Sequence, residues 1–158
     1  SEKDDYFRYD TVHGYVHDMG AAMQGGVGGH AGLFSNANDV AKLMQMYLQE
    51  GVYGGKRYFS TETFKTFNTC HYCDQENRRG VGFDKPQLED EGPTCGCLSM
   101  KSFGHSGFTG TYAWADPKEE IVYVFLANRT YPNSEINRLS EENIRTEIQR
   151  LIYESILE

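Results

Sequence analysis

"FGHSGFTGTYAWADPKEEIVYVFLANR", residues 103–129, carries the strongest fold signal in the chain. Residues 102–114 are rich in Phe, Thr and Tyr, "DPKEE" (116–120) supplies a turn, and "IVYVFLAN" (121–128) is a short continuous apolar run. The pattern predicts an antiparallel hairpin whose second strand is buried on both faces, at the centre of a sheet. On the first strand, Gly104, Ser106, Gly107 and Gly110 leave the backbone open to close approach by another molecule. His105 brings an imidazole that can take or give a proton, Ser106 a hydroxyl, and the backbone N–H beyond Gly107, that of Phe108, a donor for an oxyanion. The same residues also fit a twisted strand with glycines at a bulge and a histidine in solvent.

Helices are legible on both sides of this hairpin. "SNANDVAKLMQMYLQEG" (35–51) spaces Val40, Leu43, Met44, Tyr47 and Leu48 helically, with Ser35 as N-cap and Gly51 just past the end. Met44 lies on the apolar stripe and reads as core filling. A shorter helix follows Ser60, with Phe64 and Phe67 on it. At the far end "LSEENIRTEIQRLIYESILE" (139–158) offers Ser140 as N-cap, a Leu139 and Ile144 staple, and a stripe of Ile144, Ile148, Leu151, Ile152 and Ile156. That helix should cover one face of the sheet. Residues 10–34 are dense in glycine and read as an ordered loop. Residues 69–101 lose periodicity, hold Pro86, Pro93 and all four cysteines, and read as a long excursion within a single domain spanning 1–158.

Charge and composition remove several function classes. Acidic residues number 23 against 15 basic ones, for a net charge of −8, and the cations are scattered, so nothing forms a stripe for nucleic acid. No apolar run approaches the ~20 residues needed to span a bilayer.

Two segments taken together resemble a known family. "YFRYDTVHGYVHDMGAAMQGGVGGHAGLFSNANDVAKLMQMYLQEG" (6–51) and the 103–129 stretch are similar to the C-terminal part of the serine β-lactamase and penicillin-binding-protein superfamily, nearest its class C β-lactamase and esterase branch. The similarity covers about residues 1–67 and 101–157. It implies an α+β fold, the C-terminal portion of the β-lactamase/transpeptidase-like architecture, with an antiparallel sheet flanked by helices. The family's third motif, Lys or His, then Ser or Thr, then Gly, falls on His105, Ser106 and Gly107. By resemblance these give polarity near a substrate carboxylate, a hydroxyl contact and room for the acyl group, while the N–H of Phe108 serves as an oxyanion donor. The nucleophile motif Ser-x-x-Lys occurs nowhere in the chain: Lys65 lies five after Ser60, and Lys101 two after Ser99. Neither spacing puts the pair on one helical face.

The expectation is therefore a C-terminal fragment of a bacterial acyl-enzyme hydrolase, taking a small-molecule or peptide substrate such as a β-lactam, peptide or ester. Its Ser-x-x-Lys and Tyr-x-Asn motifs would lie in a missing N-terminal half, and the fragment alone would be inactive. The other reading is a non-catalytic binding or structural domain of the same fold. The resemblance also implies an extracytoplasmic location, periplasmic or secreted, no cofactor for catalysis, and a last strand that pairs with the absent half or, without it, with another copy.

Other chemistries compete within the chain. Cys70 and Cys73, with Cys95 and Cys97, suit a structural zinc held by four thiolates, although the second pair is C-x-C rather than C-x-x-C. In the extracytoplasmic setting the resemblance implies, the same residues suit two disulfides. His13, His17 and His30 raise a metal-dependent hydrolase, but Gly14 argues against the helix that would align the first two. "GGVGGH" (25–30) lacks the Gly-Lys-Ser/Thr of a phosphate cradle.

Overall fold

Side-chain caps set where most of the helices begin. The computed structural model describes residues 1–87 and 92–156. It opens with two-residue strands Lys3–Asp4 (β1) and Asp10–Thr11 (β2), paired antiparallel. The loop between them closes on the buried Asp4 carboxylate, to which Arg8 Nε donates at 2.7 Å and Phe7 N at 2.9 Å. Burial works against the charge, but Arg8 and the backbone donors outweigh it and hold this carboxyl at about 2. Helix Met19–Met23 (α1) starts at Asp18, whose side chain accepts from Ala21 N.

Helix Ala37–Leu48 (α2) starts at Asn36, one residue later than the Ser35 cap expected. Asn36 Oδ1 accepts from Asp39 N at 3.0 Å, whereas Ser35 Oγ meets only the Asn36 carbonyl. Gly51 lies just past the helix end with φ of 93°, and its N–H returns to the Met46 carbonyl. Strands Val52–Tyr53 (β3) and Lys56–Arg57 (β4) then form a minimal hairpin around Gly54 and Gly55. Ser60 caps helix Thr61–Asn68 (α3) as expected, but of the two phenylalanines only Phe64 is buried; Phe67 is exposed.

The principal sheet has strands Phe103–Ser106 (β5), Tyr112–Asp116 (β6) and Ile121–Phe125 (β7), antiparallel in the order β5-β6-β7. The hairpin is where the sequence places it, but its second strand is not the centre. β6 is the strand between two neighbours, and β7 is the edge, its residues half-buried except for Tyr123. No described residue pairs with the outer edge of β7. The outer edge of β5 is covered, because Asp84 and Gly104 exchange both backbone hydrogen bonds there, at 2.8 and 3.1 Å.

Alternation along these strands divides the core. Tyr112, Trp114 and Tyr123 face one side with Leu98 and Tyr153, while Phe103 and Ala115 face the other with Met44, Phe64 and their neighbours Tyr47, Phe59 and Phe83. The second cluster is built of aromatic edges: the Phe103 ring lies 5.2 Å from that of Phe64 and 5.0 Å from that of Phe83. Helices thus cover both faces of the sheet.

The C-terminal helix departs from the expected pattern. Ser140 lies inside a separate short helix, Arg138–Glu141 (α4), and Asn143, with φ of 51°, breaks the chain before helix Ile144–Glu154 (α5). The buried residues of α5 are Gln149 and Tyr153, whereas Leu151 and Ile156, from the expected apolar stripe, are 56% and 51% exposed. The reason lies beneath the helix. Tyr153 OH donates to buried Asp116 at 2.9 Å, and Gln149 Oε1 accepts from Tyr112 OH at 3.0 Å and from Cys95 N at 3.2 Å. Exposing an aliphatic side chain forgoes about 1.5–3 kcal/mol. Stripping donors from a buried carboxylate costs as much per group or more, so the helix turns its 149/153 face to the sheet.

Asp116 also fastens the cysteine-containing excursion. Ser99 donates to it through N at 2.9 Å and Oγ at 2.5 Å, and Lys118 N donates at 2.9 Å. Nearby, the buried Lys85 ammonium donates to Asn68 Oδ1 and the Lys101 carbonyl, and its burial pulls the pKa down to about 8. Burial would raise the Asp116 carboxyl, yet the Ser99, Lys118 and Tyr153 donors keep it below its ordinary value. Its stabilising effect is therefore complete above the ordinary carboxylate pKa and lost as pH falls through the depressed one. Tyr153→Phe is expected to cost about 1.5–3 kcal/mol at neutral pH. Urea unfolding should show that difference shrinking below about pH 4, as Asp116 protonates.

Candidate active site

The end of β5 and the turn that follows it form the candidate site. Gly104 lies opposite Trp114, and a Cβ there would strike the Ala113 carbonyl and the Trp114 indole. Gly107 has no room either, because a Cβ would meet Thr111 Oγ1. Two hydrogen bonds close the turn: Gly107 N to Thr111 O at 2.8 Å and Gly110 N to Gly107 O at 3.0 Å. The N–H of Phe108, between them, makes no hydrogen bond to a described residue, and the Phe108 side chain is exposed.

Strand alternation sends the two polar residues of the motif to opposite faces. His105 stands across from Ala113 and is exposed; Ser106 stands across from Tyr112 and is half-buried. His105 Nδ1 lies 2.7 Å from the Ser106 carbonyl oxygen. A carbonyl can only accept, so Nδ1 carries the proton, and in the neutral ring Nε2 keeps its lone pair free. This is the tautomer of a base or acceptor directed away from its own strand.

Ser106 lines a cleft of about 200 Å³ with Pro93 from the excursion and with Leu139, Asn143, Arg145 and Thr146 from the last two helices. Arg145 is the residue the sequence reading missed. It is half-buried, its guanidinium lies 5.6 Å from the Tyr112 ring, and it reaches the Thr111 carbonyl at 3.4 Å. Desolvation depresses its pKa, and no carboxylate among the described residues pairs with it. In sequence it is one more polar residue of an amphipathic helix, without a distinguishing signal. A guanidinium with no carboxylate partner among the described residues, in a cleft that also holds Ser106, Ser140, Asn143 and Thr146, is suited to an anionic group.

The other candidate ligand sets are dispersed. His17 Nε2 meets Glu2 at 2.8 Å, His30 Nε2 meets Asp18 at 2.8 Å, and His13 is exposed on a segment that Gly14, at φ of 66°, turns out of any helix. Among the described residues no group of three or more His, Cys, Asp or Glu side chains is placed to hold a metal. In the 25–30 loop the Gly26 and Gly28 N–H groups are taken by the carbonyls of Ala21 and Ala31. The cysteines pair locally, Cys70 with Cys73 and Cys95 with Cys97, at Cα separations of 5.7 and 5.3 Å, rather than gathering four sulfurs.

Residues 2–144 match the sequence profile of the family described as Beta-lactamase. The chain belongs to that family. Its sheet and flanking helices are thus a portion of the serine β-lactamase and penicillin-binding fold, and it is a member of a serine hydrolase family. Over 126 residues, 78% of the chain, it is 40% identical to a putative D-alanyl-D-alanine carboxypeptidase of Escherichia coli K12. It is 41% identical to the protein so described from Escherichia coli O157:H7, and 38% to that from Salmonella enteritidis. The match spans 29% of the length of each of these relatives.

Thiol counting tests the cysteine pairing. Alkylation before reduction should modify none of the four cysteines, alkylation after reduction should modify all four, and the protein should carry no stoichiometric zinc. Four reactive thiols together with one bound zinc would restore the gathered four-sulfur site.

Proposed function

We propose that these residues supply the substrate-facing wall of an acyl-transfer hydrolase, completed by a serine and lysine from a segment outside them. The observation that carries this is the N–H of Phe108, which makes no hydrogen bond to a described residue, on a closed turn one residue beyond His105-Ser106-Gly107, in a chain of the Beta-lactamase family. In the reaction a serine Oγ attacks the substrate carbonyl, and the new anionic oxygen takes the Phe108 N–H as one of its donors. His105, with Nε2 available, accepts a hydrogen bond or relays a proton on the open face of β5. Collapse of that intermediate breaks the scissile bond and expels the amine or alcohol, which takes up the proton given by the serine. Water then hydrolyses the acyl-serine ester to the free acid.

The favoured substrate is a peptide with a free C-terminal carboxylate, of the D-alanyl-D-alanine kind named in the relatives' descriptions. Arg145, which lines the same cleft as Ser106 and has no carboxylate partner among the described residues, supports an anionic substrate group. An ester or β-lactam would exercise the same acyl chemistry. The location that fits such a substrate is extracytoplasmic. Two disulfides persist most readily there, and no helix among the described residues is long and apolar enough to cross a membrane. A structural zinc on the four cysteines remains the alternative role for those residues, and catalysis in this reading needs no cofactor.

In the full-length protein, His105→Ala should lower kcat/KM toward a D-alanyl-D-alanine peptide or a chromogenic ester by about 100-fold. Unchanged turnover would remove His105 from the reaction. Absence of any hydrolysis by the unmodified full-length protein would favour the non-catalytic binding domain.

The open edge of β7 and the exposed Leu151 and Ile156 support a further proposal, that the same outside segment docks against this side of the sheet. Residues 1–158 alone should self-associate through that edge, and co-expression with the preceding segment should give a single monodisperse species by light scattering. A monodisperse monomer of 1–158 would count against the docking.

A further inference from the structure

The reaction just described uses the Phe108 N–H and leaves the rest of that residue without a task, yet Phe108 is held from two sides. Arg129 lays its guanidinium 4.2 Å from the centre of the Phe108 ring, and its Nε donates to the Phe108 carbonyl at 2.6 Å. The backbone N–H of Arg129 donates to the Thr109 carbonyl at 2.9 Å, and a terminal nitrogen of its guanidinium reaches the Ser134 carbonyl at 3.3 Å. No carboxylate among the described residues lies within ion-pair distance of Arg129. The imidazole of His17 also packs on Phe108, with centroids 5.5 Å apart. His17 is itself fixed by Glu2 on Nε2 and by Arg8, which donates to its carbonyl at 2.7 Å.

We propose that Arg129 is a positioning residue that aims the Phe108 N–H at the reacting carbonyl oxygen. The 107–108 peptide follows a glycine, whose backbone has more freedom than any other residue's, and within the turn its plane is held only through the Gly107 carbonyl, which accepts from Gly110 N at 3.0 Å, so a second hold from outside sharpens its direction. On its N-terminal side the Gly107 N–H is tied to Thr111. On its C-terminal side the Phe108 carbonyl is tied to Arg129, and the ring is pressed between guanidinium and imidazole. With carbonyl and ring both fixed, rotation about the Phe108 backbone is blocked and the N–H direction is set before substrate arrives. A pre-aimed donor is what stabilises a developing oxyanion without reorganisation. Arginine suits this task because one planar group can stack on the ring and donate in its own plane to the carbonyl; lysine can do only one of these.

The inference rests on the acyl-transfer reading, and three measurements on the full-length protein separate them. Arg129→Ala should lower kcat for ester or peptide hydrolysis by about 10–100-fold, with KM changed less than about threefold. Affinity for a boronic acid transition-state analogue should fall by the same factor. Arg129→Lys should recover little, and Phe108→Leu, which removes the ring and keeps the N–H, should shift kcat in the same direction. Independently of turnover, 15N relaxation on phenylalanine-labelled protein should report a Phe108 amide as rigid as those of the sheet, and a mobile one in Arg129→Ala. An amide that stays rigid in that variant overturns the clamp, as does full rescue by lysine. An amide that loosens while turnover and boronate affinity stay constant supports the clamp and overturns the oxyanion role on which its purpose rests.

Discussion

A strand has two faces, and the four residues of β5 commit one pair to each. Phe103 must enter the aromatic cluster under α2 and α3, and once it does, His105 is fixed on that same face and Gly104 and Ser106 on the other. Gly104 then has to be a glycine, because the Trp114 indole occupies the space where its side chain would stand. Ser106, two residues on, opens onto the cleft beside Arg145. The motif His-Ser-Gly is therefore not a cluster in space. It is a strand end with an imidazole on one side, a hydroxyl on the other, and a backbone N–H at its tip.

Buried polar groups, more than apolar area, decide how the remaining elements lie on this sheet. Asp116 collects donors from the excursion, the hairpin turn and α5, and Gln149 joins α5 to Tyr112 and Cys95. Each is individually costly to leave unmet, so together they fix the rotation of α5 and the position of residues 93–99. That same pair of contacts shapes the cleft, since Pro93 and Arg145 are carried to its walls by these two elements.

Much of this was legible in the sequence, and the failures have identifiable causes. α3 was readable because cap and periodicity agree, α2 by its periodicity although its cap is Asn36 rather than Ser35, and the β6–β7 hairpin because a turn separates two β-rich runs. The rank of β7 in the sheet was misread because a continuous apolar run looks alike in a central strand and in an edge strand with apolar neighbours. The face of α5 was misread because Gln149 and Tyr153 are buried for their hydrogen bonds, which hydrophobic periodicity cannot register. Ser140 and Asn143 are equal as caps by type, but Asn143 tolerates the left-handed backbone that restarts the helix there. In the candidate site, His105, Ser106, Gly107 and Phe108 are the positions that the family motif marks. Arg145 and Arg129 were not, since nothing in their local sequence separates them from any surface cation.

Those two arginines give the site a character opposite to that of the chain. The protein carries a net charge of −8, yet near the tip of β5 it places two guanidiniums with no described carboxylate to neutralise them. Arg145 is half-buried, and an effective dielectric below that of water strengthens its pull on a nearby anion. The net negative charge of the chain repels large polyanions, an effect that salt attenuates beyond about 10 Å. A small substrate with a single carboxylate meets little of that repulsion and all of the local attraction. On the proposed reading, a short anionic group held in this cleft would lie on the opposite face of β5 from the His105 imidazole.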